Sequence, residues 1–345
     1  MKINSSFAAT LFVLSLLITV SVIWVYSQNP IGVEEEETWT FAVFCDTRGD
    51  NNNTSGKTCT NDFVVKAIAE AIVMDGCELV LVPGDMVNGY WMNGSTSYDK
   101  QFENWKTAID PLYEAGIEVY TVRGNHEYGN ANNYDVYPYD LDHDPALENA
   151  YIMAFSGDNP DNGPEGEKDL TYSFTHKNAF FMGLDEYASP HSHRVDQEWV
   201  DSQLVNNSKS YVFVFGHEPA FKLNHKDCLE TYPEDRDEFW NSIGNAGCQV
   251  YFCGHDHSYN RARIQDDFGN EIYQMVVGSC GAPFKEWNIS EYNESSRFKL
   301  KYHNQIDYGY TLVTVDSDTV KVEWKAWNMS GAPTWVTKDS ILLYT

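Results

Sequence analysis

Two aspartates, one asparagine and three histidines stand where five apolar runs end abruptly. Asp46 follows TFAVF and Cys45. Asp85 follows ELVLVP in the pair Gly84-Asp85. Asn125 follows IEVYTVR in Gly124-Asn125-His126. His217 follows YVFVF and Gly216. His255 and His257 follow QVYFC in Gly254-His255-Asp256-His257. Carboxylate, amide and imidazole donors in one set suit a divalent first-row metal or a magnesium-like ion. A lone loop histidine is usually just a surface or core histidine, and one Gly-His-x-His is a weak signal. Five such elements in order, each closing a β-type run, point to a metal centre gathered from distant segments.

The runs that carry these residues are rich in Val, Phe and Tyr with little alternation, as in strands buried on both faces. Helical patterns lie between them. Phe63, Val64, Ala67, Ile68, Ala71 and Ile72 make one apolar face, stopped by Gly76. Phe102, Trp105, Ile109 and Leu112 make a second, which Pro111 should kink or shorten. Asp196 can cap a third helix that buries Trp199, Val200 and Leu204. Strands alternating with helices predict an α/β fold, and in open α/β sheets sites form beyond the carboxyl ends of strands. The five polar elements all sit there. Gly129 to Asp169, rich in Asn, Asp, Pro, Tyr and Gly, reads as an inserted loop region that roofs the site or as an ordinary surface insertion. The tail alternates from Tyr310, turns at Asp316-Ser317-Asp318, and alternates again from Val320 to Trp324. That is a β-hairpin, expected to join a second sheet packed on the first.

The 345 residues carry 23 Lys and Arg against 51 Asp and Glu, a net charge of −28. Such a field repels nucleic acid, so that partner is not expected. A local cation site remains compatible with it. Phe7 to Tyr26 carries no charge and is long enough to cross a hydrocarbon core of ~30 Å. Lys2 before it and Glu34 to Glu37 after it place the bulk of the chain outside the cytoplasm. Residues 1–27 thus read as a signal-anchor holding the protein to the membrane, or as a signal peptide. Residues 28–38 read as an acidic linker and 39–345 as one catalytic domain. Sequons at Asn93, Asn206, Asn288, Asn293 and Asn328 are compatible with export. Of seven cysteines, Cys45 and Cys253 read as buried thiols. Cys59 with Cys77, or Cys228 with Cys248, are candidate disulfides in an exported domain.

The polar elements together resemble the calcineurin-like metallophosphoesterases, with closest likeness to the purple acid phosphatase branch. That family's pattern appears here as Asp46-Thr47-Arg48, Gly84-Asp85-Met86-Val87-Asn88, Gly124-Asn125-His126-Glu127, Gly216-His217 and Gly254-His255-Asp256-His257. The likeness spans about Phe41 to Trp324 and includes FFMGLDEYAS and GHDHSYNR. It implies a four-layer α/β/β/α sandwich of two packed mixed β-sheets with the metal site at strand carboxyl ends. It also implies two divalent metal ions (Mn, Mg, Zn or Fe) bridged by Asp85. Asp46 and His257 would hold one, and Asn125, His217 and His255 the other. The implied reaction is attack of a metal-bridging hydroxide on a phosphate ester, with His126 protonating or stabilising the leaving oxygen. Glu127 or Asn88 would orient His126, unless Glu127 makes only a structural hydrogen bond.

Two positions depart from the pattern. Arg48 replaces a histidine, and a guanidinium has no lone pair for a metal. The first metal loses a ligand unless Asp50, Asn51 or water fills in. Arg48 grips a phosphate oxygen, points at solvent or pairs with Asp50. Asn88 stands where purple members carry the tyrosine that colours their iron, so a colourless enzyme is expected. His191 and His193 line the substrate mouth or belong to a surface loop. The function expected is an exported phosphomonoesterase. The alternatives are a phosphodiesterase or nucleotide hydrolase on the same site, and a surface binding module whose catalysis is weakened at Arg48.

Overall fold

The apolar runs become strands whose two faces pack into different cores. The computed structural model describes residues 38–49, 58–89, 96–131, 141–189, 191–285, 295–327, 331 and 333–344. The Phe7 to Tyr26 run and residues 28–37 of the linker lie outside them. Among the described residues no helix is long and apolar enough to cross a membrane.

Strand β1 (Trp39–Val43) leads through helix α1 (Asp62–Met74) to β2 (Leu79–Pro83). Helices α2 (Tyr98–Ala108) and α3 (Asp110–Glu114) then lead to β3 (Glu118–Val122), parallel to β2 and β1. The break at Ile109 is the one Pro111 foretold: proline stands in the first turn of α3, where its missing N–H costs nothing. Helix α1 ends before Gly76, whose φ of +71° closes it. The short α4 (Asn125–Tyr128) follows β3 directly.

Between α4 and the second sheet lie a two-stranded ribbon, β4 (Gly129–Ala131) with β5 (Leu141–His143), and helix α5 (Pro145–Phe155). The expected insertion at Gly129 to Asp169 is therefore partly regular. Asp144 caps α5 through Ala146 N at 2.9 Å. Leu147, Ala150, Tyr151 and Phe155 bury against Phe102 and Trp105 of α2. The flanking Asn and Pro obscured this periodicity in the sequence.

The second sheet holds β6 (Tyr172–His176), β7 (Ala179–Gly183), β8 (Tyr211–Phe215), β9 (Val250–Cys253), β10 (Tyr259–Gln265), β11 (Glu271–Val277) and β12 (Phe298–Asn304). Its order is β12-β10-β11-β9-β8-β7-β6. Helix α6 (Gln197–Asn206) follows β7 and α7 (Pro233–Asn245) follows β8. Asp196 caps α6 through Trp199 N at 2.9 Å. Strands β13 (Tyr308–Val315), β14 (Thr319–Trp327) and β15 (Val336–Tyr344) complete the first sheet, in order β15-β14-β13-β1-β2-β3. The tail hairpin thus extends the sheet of β1 rather than entering another. Strand β13 runs antiparallel along the open edge of β1, pairing Trp39 with Val315 and Val43 with Thr311.

Alternation sorts the layers. Phe41, Val43, Leu79 and Leu81 meet Phe181, Phe213, Phe215 and Phe252 between the sheets. Ala42, Phe44, Val80 and Val82 face α1, α2 and α5. Val212, Val214, Tyr251 and Cys253 face α7, where Phe239, Trp240 and Ile243 close the outer layer. This is the four-layer α/β/β/α sandwich of two mixed sheets. The five strands bearing the polar elements divide between the sheets, three in one and two in the other. Their carboxyl ends converge at one rim of the sandwich. All seven cysteines are buried and free, so neither expected pair is joined.

Candidate metal centre

Tight backbone turns bring the strand ends together. Asp46, Asp85 and His255 hold φ of +52°, +53° and +69°. Non-glycine residues rarely adopt this left-handed region, at a cost of ~1–3 kcal/mol each, and such strain clusters at functional sites. Glycine lets the loops touch. A methyl on Gly124 would sit 2.2 Å from Asp85 Oδ1, and one on Gly254 2.3 Å from Asp46 Oδ2. Glu127 ties the ends of β2 and β3: Oε2 accepts from Asp85 N (2.8 Å) and Gly124 N (2.9 Å), and Oε1 from Val87 N (3.0 Å). Its bond is therefore structural, and burial lifts its carboxyl to about 8 against those three donors.

The side chains gather into two donor groups that share Asp85. In the first, ligand atoms of Asp46, Asp85 and His257 all lie within 4.8 Å of one another. His257 donates from Nδ1 to the Pro283 carbonyl at 2.8 Å, which leaves the Nε2 lone pair facing Asp46 Oδ1 at 3.6 Å. Asp46 Oδ1 is buried without a hydrogen-bond partner among the described residues. Asp46 Oδ2 accepts from His255 N at 3.0 Å.

In the second group, Asn125 Oδ1 lies 3.1 Å from His217 Nε2 and 3.0 Å from His255 Nδ1. His217 donates from Nδ1 to the Pro83 carbonyl at 2.8 Å. Its Nε2 is then a lone pair facing the amide oxygen and, at 3.4 Å, Asp85 Oδ1. Asp85 Oδ1 also accepts from His126 N at 3.1 Å and Asn125 Oδ1 faces His255 Nδ1, but the His217 Nε2 lone pair meets only acceptor oxygens in this group, an arrangement that a cation between them would satisfy. The donor set therefore fits divalent metal at both groups.

Positive groups of the protein itself crowd the same ground. Arg48 donates from Nη2 to His257 Nε2 at 3.3 Å, and its Nε lies 3.8 Å from Asp85 Oδ2. Asp50 and Asn51 lie outside the described residues. Burial opposes a charge on His255, but Asp227, 3.3 Å from its Nε2, outweighs it and raises the imidazole to about 10. Burial likewise opposes ionisation of Asp85, yet His217, His126 and Arg48 hold it below the usual carboxylate range. Burial raises Asp46, and the Asp85 charge adds to it. His126 is nearly buried. It donates from Nδ1 to the Asn88 carbonyl at 3.1 Å and sets Nε2 3.9 Å from Asp85 Oδ2. Burial, then Arg48, lowers it to about 3, so its ring is neutral. Asn88 is fully buried beneath it.

Several neighbours carried no spacing signal. Glu186, inside the quoted FFMGLDEYAS, accepts from His217 N at 2.7 Å and from Tyr251 hydroxyl at 2.7 Å. Burial and the Glu218 charge lift it to about 8. Asp227 and Asp256 brace His255 and His225, the latter through a 2.6 Å bond from His225 Nδ1. Lys285 donates to His225 Nε2 at 2.7 Å. The signal available for Glu186 was its place just beyond β7, another strand carboxyl end. For Asp227, His225 and Lys285 there was none.

His191 and His193 do not join the donor groups. His191 bonds Glu167, and His193 Nδ1 donates to Glu218 Oε1 at 2.6 Å. Both line a separate cavity of about 170 Å³ with Arg194, Arg236 and Phe239. Glu167, His191 and Asp196 also cluster closely. Each already has a partner in Thr171, Glu167 or the α6 amide, so nothing there asks for a metal.

The family model for calcineurin-like phosphoesterases matches residues 59–259, beginning after Asp46 and Arg48. No curated protein matches the chain. Among solved structures, a purple acid phosphatase from yellow lupin (Lupinus luteus) seeds is 16% identical with a TM-score of 0.65. The match covers 90% of this chain and 54% of that one, so this chain spans about half the lupin enzyme. GAP50, the anchor in the inner membrane complex of Plasmodium, is 14% identical with a TM-score of 0.55 and 89% of each chain covered. A dimetal phosphatase from Danio rerio is 13% identical with a TM-score of 0.52, covering 89% of this chain and 98% of that one. At these identities the likeness is one of fold.

Proposed function

Because the chain belongs to the calcineurin-like phosphoesterases, metal-dependent enzymes, we propose that it hydrolyses phosphate monoesters at the paired donor groups. The observation that carries this reading is Asn125 Oδ1 set against the His217 Nε2 lone pair at 3.1 Å, beside the shared Asp85.

In this reading Asp46, Asp85 and His257 hold one divalent ion, and Asp85, Asn125, His217 and His255 the other. Bound together, the ions supply electrostatic stabilisation of the phosphoryl oxygens and of the attacking water. The protein's own groups do the rest. Arg48 would offer its fork of donors to a phosphoryl oxygen. His126 faces the site with Nε2, fixed by its bond to the Asn88 carbonyl. Its neutral Nε2 would take a proton from solvent once the substrate's negative charge offsets that of Arg48, and deliver it to the leaving oxygen. Asn88 is then a positioning residue. Glu127 and Glu186 hold the backbone of the ligand loops. The Phe7 to Tyr26 sequence supports an extracytoplasmic placement, tested by fractionating cells that express the full chain.

The test is metal analysis of purified protein followed by assay of p-nitrophenyl phosphate against bis(p-nitrophenyl) phosphate with Mn, Mg, Zn and Fe(II). Faster monoester turnover with any of them supports the reading. Preference for the diester moves it to a phosphodiesterase, and absence of turnover sinks it. A second reading is a binding module, which Arg48 favours because it already occupies the His257 lone pair. One fold neighbour is itself described as an anchor.

A further inference from the structure

We propose that Lys285 contacts the substrate's phosphoryl group and, with Arg48, makes the site prefer the doubly charged monoester over the singly charged diester. The inference rests on the phosphoesterase reading above and adds the residue that sets its selectivity.

The segment after β11 is bolted to the donor groups along its length. A methyl on Gly278 would sit 2.8 Å from Asp46 Oδ2. Ala282 N donates to the Asp46 carbonyl at 2.7 Å. The Gly281 carbonyl accepts from Asn61 Nδ2 at 2.9 Å, and the Pro283 carbonyl from His257 Nδ1 at 2.8 Å. Lys285 lies two residues beyond Pro283 and so stands at the rim.

Its ammonium is held by a neutral ring. Asp256 accepts the Nδ1 proton of His225, so His225 Nε2 can only accept, and Lys285 donates to it at 2.7 Å. That ring lies 4.3 Å from the ring of His255. It also lies 6.2 Å from the ring of His257, to which Arg48 donates at 3.3 Å. Two cations from different segments therefore face the same small volume. Among the described residues Arg48 lies against Asp85, which it shares with the metal groups, and Lys285 meets imidazole. In a chain of net charge −28 this sets two cations at one rim. A monoester dianion brings one more negative charge to it than a diester.

The experiment uses the full chain, metal-loaded, with K285M and K285R variants. It reads KM and kcat for p-nitrophenyl phosphate and bis(p-nitrophenyl) phosphate, and inorganic phosphate binding by calorimetry. Loss of one charged hydrogen bond predicts that K285M raises the monoester KM and the phosphate Kd roughly tenfold. The diester KM should stay near wild type, K285R should recover most of the loss, and metal content should not change. Equal losses for both esters, or none, would overturn the assignment and make Lys285 a brace for His225. If wild type turns over neither ester, the phosphoesterase reading fails. Phosphate binding then still decides Lys285, since equal binding by wild type and K285M, or none by either, rejects it.

Discussion

Arg48 donates to the His257 nitrogen that would otherwise face a metal, across 3.3 Å. A fixed positive charge thus competes with the first cation for the same lone pair. Two equivalents of Mn or Zn should bind with clearly different affinities in calorimetry, the weaker at Asp46 and His257. Arg48→His should convert the weak event to a tight one. Arg48→Ala should cost roughly tenfold to a hundredfold in kcat/KM, the worth of a charge-assisted contact. Unchanged substrate affinity and turnover in Arg48→Ala would remove it from the reaction.

Metal uptake should release protons. His255 sits at about 10 because of Asp227, and its Nδ1 must surrender a proton before it can serve as a ligand. Affinity should therefore rise with pH up to about 10. Calorimetry in buffers of different ionisation enthalpy measures the protons released. A pH-independent affinity between 6 and 9 would mean that His255 binds no metal.

His126→Ala should lower kcat by about 10²–10⁴, the usual worth of a general acid–base group. Metal content should hold, since His126 gives nothing to either donor group. The deficit should shrink for esters whose leaving group needs no proton. A uniform deficit across leaving groups contradicts the role.

The donor residues were legible because each lies within a few positions of a strand end, where short-range pattern and chemistry coincide. Asp46, Asp85, Asn125, His217, His255 and His257 needed only the inference that their strands converge. What the pattern concealed was the division of those strands between two sheets. Runs such as LVLVP and YVFVF are buried on both faces and do not reveal which sheet they enter. The braces were hidden for another reason. Asp227 and Lys285 sit on loops and acquire meaning only from what folds against them. The tail hairpin was visible by alternation, but its partner was not, since pairing with β1 spans most of the chain.

Asp227→Asn should weaken metal binding by about 10–100-fold, the common cost of losing a carboxylate that orients a ligating histidine. The loss should fall on one cation, because Asp227 meets His255 alone among the donors. A competition titration with a chromophoric chelator resolves it. Equal weakening of both cations would show that Asp227 acts through the net charge instead.

Metal-free protein should lose stability as pH rises from 6.5 to above 8. Glu186 is lifted from 4.5 to about 8, so the folded state keeps a proton that the unfolded chain has released. That contribution is full below about 4.5 and gone above about 8. His126, His217 and His257 are lowered and act oppositely, but their effect is complete by pH 6.5. Glu127 and His255 are raised as well and add to the same slope, so urea denaturation in chelator at several pH values should show Glu186→Gln lessening it without abolishing it. A slope of the opposite sign, with stability climbing through this window, contradicts the buried neutral carboxyl.

The Glu127 strap is drawn entirely from peptide N–H groups and one side-chain carboxyl, with no metal ligand atom among its members. The mould for the cations is thus cast by the polypeptide before any arrives. Stripping and reloading should be a matter of exchange at a standing vessel rather than of unfolding and refolding.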